Sequence, residues 1–70
     1  MAWQTRTIVV PPSVLRELCD EGKAVLGPGP RGVTIETSYL GQPLTVKYLI
    51  TGITRVAGVA GLKLTRRWWE

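Results

Sequence analysis

The chain has 70 residues, which leaves room for one domain with one small core and excludes a second domain within it. Apolar residues make up 44% and charged residues 20%, a balance that excludes an intrinsically disordered segment. Nine Lys and Arg against five Asp and Glu give a net charge of +4, which favours anionic partners; the single cysteine, Cys19, excludes an intrachain disulfide, and the absence of His deprives structural zinc of its usual ligands.

Met1 to Arg6 lacks a basic segment running into a long apolar one, and no apolar run reaches the roughly 18 residues of a membrane span. A soluble, cytoplasmic protein without a membrane partner is expected. Trp3 to Val10, rich in Thr, Ile and Val and closed by Pro11-Pro12, predicts a first strand. Ser13 is placed to cap a helix with Val14, Leu15, Leu18 and Cys19 on one face and Arg16, Glu17, Asp20 and Glu21 on the other, and Gly22 is its natural stop.

Ala24 to Leu26 reads as a short strand, and Gly27-Pro28-Gly29-Pro30-Arg31-Gly32 as a loop. Val33, Ile35, Thr37 and Tyr39 alternate with Thr34, Glu36 and Ser38, the pattern of a half-buried strand, and Leu40-Gly41-Gln42-Pro43 predicts a turn. Leu44, Val46, Tyr48 and Ile50 alternate with Thr45, Lys47, Leu49 and Thr51. The apolar phase then slips by one residue, which predicts a bulge at Gly52. Ala57 to Gly61 is expected to connect to a last strand, Leu62 to Trp69, giving a long terminal hairpin. The expected fold is α+β: one helix packed on a small, mostly antiparallel, curled sheet of four to five strands.

Gly27, Gly29 and Gly32 match the spacing of a dinucleotide-binding loop. Pro28 and Pro30 delete two of the N–H donors such a loop needs, however, and the segment after it is a strand, so a plain turn is expected. Cys19 has no histidine to activate it, and Glu17, Asp20 and Glu21 share one helix surface rather than converging across a cleft. No catalytic role and no cofactor are therefore expected.

The densest chemistry lies at Lys63-Leu64-Thr65-Arg66-Arg67-Trp68-Trp69-Glu70. Arginine neutralises phosphate and indole stacks on bases, so cations interleaved with tryptophans suit nucleic acid; the same side chains suit an interface with an acidic protein surface. Arg31, Lys47, Arg55, Lys63, Arg66, Arg67, Trp68 and Trp69 are the expected binding residues. Whether the cations form one stripe depends on the bulge, and Trp68 and Trp69 should point to opposite faces, one toward the core and the other outward. A nucleic-acid-binding module is the leading expectation; the alternatives are a protein-binding adaptor or inhibitor, or a homodimer or larger homo-oligomer.

From Ile8 to Lys23, the succession of strand, proline, helix and Gly22-Lys23 turn loosely resembles the opening of PUA-like and ASCH-like RNA-binding domains. The chain leaves that pattern at Ala24-Val25-Leu26 and the proline loop, and it is shorter than those domains. In size it also resembles the compact accessory proteins of phages and mobile elements, many of which block a host protein.

Overall fold

The computed structural model describes residues 1–70. In chain order it contains β1 (Trp3–Val10), α1 (Pro12–Asp20), β2 (Ala24–Leu26), β3 (Gly32–Tyr39), β4 (Gln42–Val56) and β5 (Val59–Trp69). The strands form one open sheet in the order β1-β5-β4-β3-β2, with every neighbouring pair antiparallel. The helix packs against one face, so the chain is α+β as its patterning implies. Because β1 returns beside β5, the two chain ends meet: Trp3 lies opposite Trp69, and Ala2 and Glu70 exchange backbone hydrogen bonds of 2.7 and 3.0 Å.

Helix α1 begins two residues earlier than a cap at Ser13 would place it. Pro11 occupies the cap position and Pro12 the first helical one, where a missing N–H costs nothing, and no side chain caps the helix. Its far end is closed by backbone alone. Gly22, at φ +75°, lets its own N–H reach the Cys19 carbonyl and the Lys23 N–H reach that of Leu18. Leu15 is buried and Leu18 and Cys19 are half-buried against the sheet, whereas Val14 is turned outward.

The core is small. Leu15, Ala24, Val33 and Leu64 are its only buried side chains, ringed by Ile8, Val10, Ile35, Tyr48, Ile50 and Leu62. The molecule exposes 5412 Å², whereas a compact monomer of 7.7 kDa has about 4,300 Å². The excess reflects a sheet that the helix covers only in part.

Both hairpin turns are tighter than the sequence suggests. Leu40-Gly41 and Ala57-Gly58 each take two consecutive positive φ angles, 52° and 77°, then 50° and 80°, the twist that joins adjacent antiparallel strands directly. Gln42 and Pro43 therefore belong to β4, and Val59, Ala60 and Gly61 to β5, rather than to turns.

Two irregularities in the β4–β5 ladder shape the surface. The register jumps between Ile50 and Gly52, leaving Thr51 as the extra residue of a bulge. The ladder also ends early, at Leu49 opposite Thr65. Beyond that point Gln42–Tyr48 pairs only with β3 and Arg66–Trp69 only with β1, so the sheet forks into two arms. Pro43 fits in β4 for this reason: its half of the strand has a partner on one side only.

Candidate functional site

Residues paired across antiparallel strands share a face, and faces alternate along each strand. Ile8, Leu64 and Ile50 pair on the helix side. Alternation from there turns Lys47, Leu49, Lys63, Thr65, Arg67 and Trp69 to the opposite, open face, together with Trp3, Thr5 and Thr7 of β1.

The open face is continuous in its chemistry. The Thr65 hydroxyl hydrogen-bonds those of Thr7 and Thr51, at 2.9 and 3.0 Å, giving a polar row across three strands. Beside the row, the Arg67 guanidinium lies over the Trp3 ring, 5.1 Å from its centroid, and Trp69 meets Trp3 edge-on at 5.4 Å. Trp3 and Trp69 are 59% and 55% exposed, so each indole keeps much of its surface free for a further aromatic or apolar contact. A groove of about 360 Å³ opens on the fork between the arms; Leu49, Thr51 and Thr65 line it, with Lys47 and Arg67 beside them and Gly27-Pro28 as a wall. That wall requires glycine at position 32, since a Cβ there would collide with the Pro28 carbonyl oxygen and stand 2.9 Å from the Gly27 carbonyl carbon.

The eight residues singled out by sequence do not form a single stripe. Lys47, Lys63, Arg67 and Trp69 gather on the open face. Arg66 and Trp68 lie on the helix side, where the Arg66 guanidinium stacks on Trp68 at 4.3 Å. Arg55 falls on the helix side as well, because the bulge at Thr51 inverts the faces of the rest of β4; its guanidinium reaches the Gly58 carbonyl at 3.5 Å. Arg31 sits in the loop before β3, apart from both groups. The two terminal tryptophans do point to opposite faces, but neither fills the core: Trp68 is half-buried and hydrogen-bonds the Glu70 carboxylate at 3.2 Å, and Trp69 is exposed.

Few carboxylates oppose these cations. The only ion pair in the molecule is Lys23–Glu21, at 3.6 Å. Glu17, Asp20 and Glu21 belong to the helix and its end, Glu70 to the chain terminus, and Glu36 on β3 is the one acid that the strand register turns to the open face. On the helix side Arg6 stands directly opposite Arg66, a like-charge pair, and the Arg66 Nε is shut off from solvent with no hydrogen-bond acceptor.

Sequence reasoning missed Trp3, Thr5, Thr7 and Arg6. Their contribution depends on β1 pairing with β5, a contact between the two ends of the chain that no local pattern announces. The one available signal was the placing of tryptophans near both termini. No family model, curated protein or solved structure matches the chain. The likeness of Ile8 to Lys23 to the opening of RNA-binding domains therefore stands on those residues alone.

Proposed function

We propose that this chain is a non-enzymatic binding module that takes single-stranded nucleic acid on its open sheet face. The carrying observation is the cluster of Trp3, Arg67 and Trp69, exposed and in mutual contact on the same face as Lys47 and Lys63, with no carboxylate paired to any of the three cations. Exposed indoles offer stacking platforms that accept any base, and uncompensated cations neutralise the backbone that joins the bases. The threonine row supplies hydroxyls that donate to or accept from sugars and phosphates. A sheet face with aromatics at one corner, where the start of β1 meets the end of β5, and cations along the neighbouring strands is a surface that unstacked bases can lie on.

The deciding measurement is the fluorescence anisotropy of labelled oligo-dT and oligo-U across a salt series. Three phosphate contacts give a log–log slope of about −2, from roughly 0.7 per phosphate on a single strand. Unchanged anisotropy at low salt for both oligomers defeats the reading.

A protein partner is the second reading, favoured by one separate observation. The surface excess of the fold is about 1,100 Å², comparable to the roughly 800 Å² that each partner contributes to a standard protein interface. Recovery of the same partner from lysate with and without nuclease treatment distinguishes a protein from a nucleic acid.

A further inference from the structure

The fork in the sheet leaves one edge of each of two backbone stretches, Gln42–Tyr48 and Arg66–Trp69, without a strand partner. Ladder alternation identifies which groups they are. The Ile50 N–H donates to the Arg31 carbonyl on the β3 side, and Glu70 and Ala2 exchange bonds on the β1 side. Counting by twos from these anchors aims the backbone N–H and C=O of Lys47 and Thr45 away from β3, and those of Arg67 and Trp69 away from β1. All four residues thus turn peptide groups toward the gap, and none has a pairing partner across it. Pro43, which lacks an N–H, occupies the outermost position on the same free edge of β4.

From this geometry we infer that the fork is a strand-addition site for an extended acidic peptide. An unpaired edge is a ready template for a further strand, whose backbone supplies the missing hydrogen bonds while its side chains alternate between two surfaces. Those two surfaces differ here. On the open side the guest's alternate residues meet Lys47 and Arg67, neither of which has a counter-ion. On the helix side they meet a groove of about 430 Å³ lined by Ile8, Leu44, Val46 and Tyr48, with Arg6 and Arg66 at its rim. The fitting guest alternates carboxylate and apolar residues, with its acids outward. Net charge +4 and the lack of any carboxylate paired across the gap select an acidic guest over a basic one. This inference shares Lys47 and Arg67 with the nucleic-acid reading and differs from it in resting on the unpaired backbone edges rather than on the indoles.

The experiment is a titration of the whole chain with a capped peptide of about eight residues alternating Glu and Val, a length within the ordinary range for strands. Two controls run alongside: the same peptide N-methylated at alternate backbone nitrogens, and one alternating Lys and Val. Amide hydrogen exchange is read by NMR at each backbone N–H. The Glu-Val peptide is expected to slow exchange at Lys47, Arg67 and Trp69 at least tenfold, and the other two peptides to leave it unchanged. Equal protection by the N-methylated peptide reduces the effect to charge and overturns strand addition. Protection confined to other amides overturns the location. Protection already present without peptide, and lost on dilution, assigns the gap to a second copy of the chain and overturns the acidic guest. Oligo-dT binding that leaves these three amides unprotected keeps the two sites distinct.

Discussion

Arg67 and Trp3, from opposite ends of the chain, are held in a cation–π contact, with the guanidinium carbon 5.1 Å from the ring centroid on an open sheet face. The contact exists because β1 pairs with β5 in a register that sets Trp3 against Trp69 and Thr5 against Arg67. An arginine held by an indole on one side presents its other edge to a partner without losing much side-chain freedom on binding.

Replacing Lys47 and Arg67 together by Ala is expected to weaken oligonucleotide binding and to lower its salt slope by about 1.4, at roughly 0.7 per lost phosphate contact. Both side chains are exposed and neither forms an ion pair. Stability should therefore change by no more than about 0.5 kcal/mol at Lys47 and fall by about 0.5–1 kcal/mol at Arg67, which loses its contact with the Trp3 ring. Anisotropy against salt and a urea melt on the same variant measure both.

Trp3→Ala should weaken binding by about 1–3 kcal/mol through the loss of one stacking platform. It also removes the edge-on contact with Trp69, which costs the fold about 0.5–1.5 kcal/mol. Trp3→Phe keeps an aromatic face and should recover part of each loss, as read by oligo-dT affinity and denaturation midpoint.

Leu64→Ala should cost about 2–5 kcal/mol, because Leu64 is fully buried at the centre of a four-residue core. A domain of this size holds only roughly 3–5 kcal/mol in total, so the variant should be largely unfolded at room temperature by circular dichroism. Ile53→Ala, on the neighbouring strand but 75% exposed, should shift the urea midpoint little.

Gly61→Ala should destabilise by about 1–3 kcal/mol, since the added Cβ would collide with Cγ1 of Val9 across the β1–β5 pair. Val9 is itself partly exposed, so Val9→Ala clears the space at small cost. The double variant should be more stable than Gly61→Ala alone, with a coupling of about 0.5–3 kcal/mol in a urea double-mutant cycle.

The regular parts of the fold were legible because their signals are local. The alternation from Val33 to Tyr39, the phase slip near Gly52, the helical spacing of Leu15, Leu18 and Cys19 and the stop at Gly22 each lie within a few residues. The turns were misread because Leu40 and Ala57, neither of them a usual turn former, take the left-handed conformation. Pro43 and Gly61, meanwhile, look like turn residues and lie in strands. Pro43 is tolerated by the free edge of β4, and Gly61 is required by the side chain of Val9. Half of the candidate site was legible. Lys47, Lys63, Arg67 and Trp69 share a face, whereas Arg31, Arg55, Arg66 and Trp68 lie elsewhere. The sorting depends on pairing between distant segments and on one inserted residue, neither of which composition records.

That inserted residue, Thr51, sets the odd–even rule for everything beyond it on β4. Up to Ile50, even-numbered positions turn to the helix side; from Ile53 onward, odd-numbered ones do. Removing Thr51, with pairing to β5 kept, would leave Ile53 opposite Leu62, Thr54 opposite Gly61 and Arg55 opposite Ala60, so every residue beyond it would keep its present face. The ladder would become regular and Thr65 would lose the hydroxyl of Thr51, while the hairpin tip kept Thr54 and Val56 outward. A deletion at this one position would in this way shorten the hydroxyl row by one member and leave unchanged which side chains the tip presents.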